Sequence, residues 1–259
     1  MASQNKGGER GRENPVAEVI PLRGWRKVLA ERMLSSHLRY AEVTQMREVD
    51  ATELVNLRQR LVSPLEEQHG FRVSYTHLLM KATAQALRQH PMVNSSLVDD
   101  EIRILSDINI AMAVALEDGG LLTPVIRQAD RKSLIEVAQE AIKLTQQVRS
   151  RRFNLDDLQG GTFTVTNAGM YGTDYVTPLI NAPQSAALGI GRLATKPVVR
   201  DNKIVIGTMM GLSLTYDHRI ITGATAAQFF QTLQDIIENP AQMDPGVQSS
   251  TNDSERGAA

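Results

Sequence analysis

Residues 211–230 read "GLSLTYDHRIITGATAAQFF". Up to Asp217 the period is two: Met210, Leu212, Leu214 and Tyr216 alternate with their neighbours, the signature of a strand with one apolar face. After Gly223 the period lengthens, and Ala227, Phe230, Leu233 and Ile237 fall on one helical face that stops at Pro240. His218 stands where the strand hands over to the helix, between an acid (Asp217) and Arg219. Two readings of it are open. A neutral imidazole leaving a sheet can take a proton from an acidic partner near pH 7. A strand-end histidine can equally be bonded to nearby backbone.

The same alternation of elements runs outward along the chain. "GWRKVLAERMLSSH" places Trp25, Val28, Leu29 and Met33 on one helical face, and "ATELVNLRQRLV" does so with Leu54, Leu57 and Leu61. "YTHLLMKATAQALRQH" predicts a third helix, ended by Pro91. "INIAMAVAL" predicts one strand, with Ile108, Ile110, Met112, Val114 and Leu116 on a bulky face and Asn109, Ala111, Ala113 and Ala115 on a small one that invites another layer. Ser133 and Glu136 form a capping box ahead of a helix with the stripe Leu134, Val137, Ala141, Leu144 and Val148. "GTFTVTN" is a β-branched strand, and "KIVIG" followed by "TMMGLSLTY" reads as a hairpin. This order of helices and strands predicts an α/β layered sandwich.

Composition narrows the classes. The 259 residues carry 28 basic and 29 acidic side chains, a balance unlike the basic surplus of a nucleic-acid-binding surface. No run of eighteen apolar residues is present, which predicts no membrane partner. "MASQNKGGERGREN" has no apolar core of a secretory signal, so a cytoplasmic protein (or one of an organelle matrix) is the default. Zero cysteines exclude thiolate nucleophiles and thiolate metal sites, and the five histidines show no metal-ligand spacing, so no metal is expected. Residues 1–15 and 244–259 read as flexible tails around one domain, 16–243. "GIGRLA" (residues 189–194) fits a loose dinucleotide pattern, but no helix start or later acid supports it; it reads as a strand leading into a turn. His77 reads as a packing or surface residue of its helix. His90 reads as a helix C-cap favoured by the dipole.

Seven ordered segments carry a resemblance: "PLRGWRKVLAERM", "VDATELVNLRQRL", "PMVNSSL", "DINIAMAVALEDGGLLTPVIRQAD", "LQGGTFTVTNAGMYG", "TPLINAPQSAALGIGR" and "LSLTYDHRIITGATAAQFF". Over residues 16–243 the chain resembles the catalytic domain of the dihydrolipoamide acyltransferases, the core subunits of 2-oxoacid dehydrogenase complexes. The resemblance implies a two-layer α/β sandwich like that of chloramphenicol acetyltransferase, a mixed sheet with helices on one side. It implies transfer of an acyl group, acetyl first among the candidates, between dihydrolipoamide and coenzyme A. In a chain without cysteine, both thiols come from those substrates. His218 is then the general base and Thr166 the hydroxyl donor to the oxyanion. The residues that hold coenzyme A are not identified.

The resemblance further implies a homotrimer with the site between subunits, served by lipoyl domains and the other subunits of such a complex. Three departures stand out. Thr222 replaces the family's acid or asparagine four residues after the histidine, an acid expected to pair with an arginine such as Arg26. No lipoyl domain is present in these residues. The C-terminal leucine-rich knob is missing, with only Met243 before a polar tail. Thr222 and the tail keep open an alternative, a structural core or scaffold subunit that turns over poorly.

Overall fold

The computed structural model describes residues 16–243; the segments 1–15 and 244–259, read above as tails, lie outside the described residues. Chain order is α1 (Trp25–Arg39), β1 (Glu42–Asp50), α2 (Thr52–His69), α3 (Tyr75–Gln89), β2 (Ser95–Val98), β3 (Glu101–Ile104), β4 (Ile110–Met112), β5 (Val114–Ala115), β6 (Leu121–Leu122), β7 (Val125–Ile126), α4 (Leu134–Arg149), β8 (Phe163–Asn167), β9 (Ala186–Arg200), β10 (Lys203–Asp217) and α5 (Gly223–Glu238). Six strands form one mixed sheet in the order β1-β10-β9-β8-β4-β7. The pairs β8–β9 and β4–β8 are parallel, the rest antiparallel. β2–β3 and β5–β6 are separate two-stranded ribbons.

One sheet face takes the helical layer. Phe163 of β8 meets Phe229 of α5, and the stripes of α3, α4 and α5 close over Val165, Leu188, Ile190, Leu214 and Tyr216 in one continuous core. The expected stripe of α4 is buried at every position, and Ser133 and Glu136 do form its capping box. In α5 the innermost residues are Ala226, Phe229, Phe230, Leu233, Ile236 and Ile237; Ala227 is only half-buried. α1 departs from the pattern. Its sole buried residue is Ser36, while Val28, Leu34 and Leu38 face solvent in the single chain.

Two strand readings need correction. "KIVIG" and "TMMGLSLTY" are not a hairpin but one strand, β10, which runs straight through Gly207. Its hairpin partner is β9, and the reversal lies at Asp201–Asn202, whose φ angles of 50° and 58° suit these two residue types. "GIGRLA" is accordingly mid-strand in β9, with no turn following it until residue 201. "INIAMAVAL" is not a single strand. β4 pairs in the main sheet, then the chain leaves that ladder and Val114–Ala115 pairs with Leu121–Leu122. Its small face does meet a second layer, where Ala111 and Gln184 close on Gly161.

The other sheet face carries small and polar side chains: Thr164, Thr166, Ala187, Gly189, Ser213, Thr215 and Thr44 occupy matching register positions. Residues 174–178 lie directly on it. A Cβ on Gly189 would come 2.6 Å from the Val176 carbonyl oxygen and 2.7 Å from its Cγ1, and one on Gly191 would collide with the Asp174 carbonyl. Glycine is required at both positions because backbone, not a flexible side chain, occupies the space. This strap and the strand ends beneath it frame the site.

Candidate active site

His218 sits in the first turn after β10. Its backbone N–H donates to the Ala41 carbonyl at 2.9 Å, which ties it to the start of β1. The side chain is exposed, and its ring lies against that of Tyr216 with centroids 5.9 Å apart. Among the described residues its ring nitrogens make no hydrogen bond, so the bland alternative, a strand-end histidine spent on nearby backbone, is not what the chain builds.

The acid beside it is spent elsewhere. Asp217 is fully buried, and Arg219 grips it: Nε lies 3.0 Å from each carboxylate oxygen, Nη2 2.7 Å from Oδ2, and the Arg219 backbone N–H 3.1 Å from Oδ1. The guanidinium also stands over the Tyr40 ring at 5.9 Å. Its hydrogen bonds to Asp217 raise the Arg219 pKa further. Burial and the Asp217 charge push the Tyr40 hydroxyl up, so it stays protonated. The Asp217 carbonyl accepts from the Ile220 and Ile221 N–H groups, completing the turn. Reading "DHR" residue by residue missed this. The available signal was an acid and an arginine two apart around the histidine.

Thr166 is half-buried on β8, paired with Gly189, and on the polar sheet face under the strap. Its neighbour on that face, Thr164, donates to Gln184 Oε1 at 2.6 Å. The chain does not bring Thr166 and His218 together. The register runs Thr166–Gly189–Ser213, and His218 is five residues beyond Ser213. Two strand spacings and five rises amount to roughly 15–20 Å.

Thr222 is the N-cap of α5. Its Oγ1 accepts from the Thr225 N–H at 3.2 Å, and the side chain is exposed. Arg26, the candidate partner for an acid at this position, makes no contact with Thr222 among the described residues: it lies 3.5 Å from the Asp118 carbonyl and over Trp25. Aspartate, asparagine and threonine are all N-cap residues, so the departure at 222 preserves the local role.

Two other histidines, His77 and His90, have structural roles. His77 is buried in the capping box of α3, its Nδ1 accepting from the Ser74 N–H at 3.2 Å. Burial, with the Arg58 charge as a smaller cause, lowers its pKa to about 4. His90 does end α3, but not as a cation at a helix C-terminus. Burial lowers its pKa, its Nε2 is 2.8 Å from Thr232 Oγ1, and its ring meets Phe229 edge-on. Among the described residues no three acids and histidines cluster as a metal site would require, and no helix is long and apolar enough to cross a membrane. A cleft of about 720 Å³ between α4 and residues 154–157 contains neither His218 nor Thr166.

Comparison with known proteins places the chain among relatives of one family. The dihydrolipoyllysine-residue acetyltransferase component of the acetoin cleaving system of Bacillus subtilis is 38% identical over 93% of this chain and 60% of its own length. The dihydrolipoyllysine-residue succinyltransferase component of the 2-oxoglutarate dehydrogenase complex of Haemophilus influenzae is 35% identical over 86% of the chain and 54% of its own. The chain thus spans little more than half the length of these curated relatives.

A probable dihydrolipoamide acetyltransferase from Listeria monocytogenes superposes with TM-score 0.84 at 34% identity, covering 90% of this chain and 97% of that one. The Azotobacter vinelandii dihydrolipoamide acetyltransferase superposes with TM-score 0.83 at 34% identity, covering 89% and 98%. That crystal structure was solved to investigate the roles in catalysis of a serine, a histidine 52 residues later and an asparagine four residues further on. A chloramphenicol acetyltransferase, at 15% identity and TM-score 0.52, shares the fold. The family model "2-oxoacid dehydrogenases acyltransferase (catalytic domain)" matches residues 14–244, and the chain belongs to that family.

Proposed function

We propose that this chain transfers an acyl group between dihydrolipoamide and coenzyme A, with His218 as general base and Thr166 as oxyanion donor, each drawn from a different subunit. The observation that carries the reading is the spacing. Thr166, His218 and Thr222 stand 52 and 4 residues apart, the same separations as the three residues studied in the Azotobacter enzyme. The chemistry fits. A free, exposed imidazole can deprotonate an attacking thiol, and a hydroxyl on a rigid strand can meet the tetrahedral oxygen.

The distance between the two groups supports a shared site. Roughly 15–20 Å is too far for both to act on one carbonyl. Apolar surface consistent with subunit contacts is left open: Val16, Val19, Ile20 and Leu22 before α1, Val28 and Leu38 on it, and Val199, Ile204 and Ile206 on the projecting end of the β9–β10 hairpin. A homotrimer, with lipoyl domains delivering the acyl group, follows from the same reading. Acetyl is the leading acyl group. The capping role of Thr222 removes one reason for the scaffold alternative.

Subunit complementation tests this. His218→Ala should abolish coenzyme A-dependent acyl transfer, and Thr166→Ala should lower kcat about 10²–10³-fold with little change in KM. When the two inactive chains are unfolded and refolded together, about one interface in four pairs an intact His218 with an intact Thr166, so about a quarter of the activity should return. No return from mixed assemblies would place both residues in one subunit's site, and near-normal turnover by His218→Ala would overturn the enzyme reading.

A further inference from the structure

An acid next to a catalytic histidine invites a triad reading, in which the carboxylate orients the imidazole through Nδ1–H. The geometry here excludes it for Asp217. The carboxylate is fully buried, and both its oxygens are occupied by Arg219, four contacts in all within 3.1 Å. The His218 residue is exposed, and its ring makes no hydrogen bond with Asp217. No other carboxylate meets that ring among the described residues. Within this chain, the backbone to which the ring is attached, with the Tyr216 ring beside it, is what can direct the imidazole.

That backbone is held at each step. Asp217 N–H donates to Ser185 at 2.9 Å, His218 N–H to Ala41 at 2.9 Å, and the Asp217 carbonyl receives Ile220 at 3.0 Å and Ile221 at 2.9 Å. The Asp217–Arg219 pair closes the remaining side of this ring, joining the residues immediately before and after His218. Arg219 is itself located by the Tyr40 ring, one residue ahead of the Ala41 carbonyl that receives the His218 N–H.

We infer that Asp217 and Arg219 are positioning residues that act as a pair, a clamp straddling His218 that sets the imidazole's direction through its backbone and not through its ring. The inference rests on the reading of His218 as the base. It separates from a triad reading by pairwise behaviour. A triad acid works alone: Asp217→Asn would cost about 10⁴-fold in kcat, and changes at Arg219 would not repair it. A clamp fails when either half is removed, because a buried group is left without its partner, and recovers when both are replaced by a matched neutral pair.

The experiment is a double-mutant cycle on the intact assembly with Asp217→Asn, Arg219→Gln and the double variant, reading kcat, KM and melting temperature. Each single variant is expected to lower kcat by about tenfold or more with KM little changed, and to lower the melting temperature. The double variant should regain the melting temperature and return to within about tenfold of wild-type kcat, showing strong positive coupling. Arg219→Lys should rescue only in part, since an ammonium cannot match the fork. A double variant as inactive as Asp217→Asn, with Arg219→Gln near wild type, would overturn the clamp and restore the triad acid. Recovery of the melting temperature without kcat would reduce the pair to a purely structural role and overturn the inference as well. If the wild-type chain itself shows no acyl transfer, the proposed function falls. The clamp is then decided by amide hydrogen exchange at His218, which each single variant should speed and the double variant restore.

Discussion

Thr222 stands four residues after His218 at the head of α5, and the structure makes its role measurable. The side chain accepts the Thr225 N–H at 3.2 Å and is exposed, at the head of the helix that supplies Phe229, Phe230 and Leu233 to the core. Thr222→Ala removes the acceptor and should cost about 1 kcal/mol, lowering the melting temperature by roughly 2–4 °C in a domain of this size. Thr222→Asp keeps the acceptor and adds a negative charge at the positive end of the helix dipole. It should stabilise by about 0.3–1 kcal/mol, or roughly 1–3 °C. That gain comes from the helix dipole and needs no arginine. Both variants can be followed by thermal denaturation at one fixed protein concentration, with acyl transfer measured in parallel. Turnover of Thr222→Asp should match that of wild type. A melting temperature for Thr222→Asp below that of Thr222→Ala would refute the capping account, since it would mean that the carboxylate meets an environment the exposed cap does not have.

Three further outcomes are expected. The His77 pKa is lower folded (about 4) than unfolded (6.5), so its contribution is complete above pH 6.5 and is lost as pH falls toward 4. That loss is at most roughly 3 kcal/mol, and His77→Gln, which keeps an N3 acceptor, should flatten this part of the stability–pH curve measured by urea unfolding. Gly191→Ala should displace the strap at Asp174 and lower the yield of folded protein or the melting temperature by far more than a surface change; an unchanged melting curve would show that the strap is free to move. The proposed site needs at least a trimer, so light scattering should find a species of about 85 kDa (3 × 28.5 kDa) or larger, and a monomer that turns over would overturn the shared site.

How much was legible depended on whether a residue's neighbours in sequence are also its neighbours in space. The stripe of α4, its Ser133–Glu136 box and the strand-to-helix passage at 217–223 are local patterns, and each was read correctly. The partner of β10 was misread because the nearest β-like segment in sequence was assumed to pair with it. Gly207 looked like a turn, yet the reversal was made by Asp201–Asn202. "INIAMAVAL" kept its period while its hydrogen-bond partner changed from β8 to β6, a switch that no alternation of side chains records. For His90 the dipole argument was sound in isolation, but Phe229 and Thr232 arrive from α5, 139 and 142 positions away, and favour a neutral ring.

The site residues show the same limit more sharply. Thr166 carries no local sign of chemistry: it is a β-branched residue in a strand, and only the family pattern singled it out. Its surroundings explain why the position is suited to the role. On the core face the strand residues are large and packed by helices, so no substrate could reach them. On the opposite face the residues are small or hydroxylic, and the Gly189 and Gly191 positions let a strap of backbone lie close. A hydroxyl there is fixed by the pairing of Thr166 with Gly189 of β9. His218, by contrast, sits beyond the end of β10, where it can be offered outward. One group is recessed on the sheet face and the other stands beyond the strand end, so a single chain separates them, and in the proposed site a second copy brings a rim against a face. Apolar residues left exposed ahead of α1 and on the β9–β10 hairpin are consistent with that second copy. The proposed division of the site between subunits then follows from where a donor on the sheet face and a base at its rim can each be built.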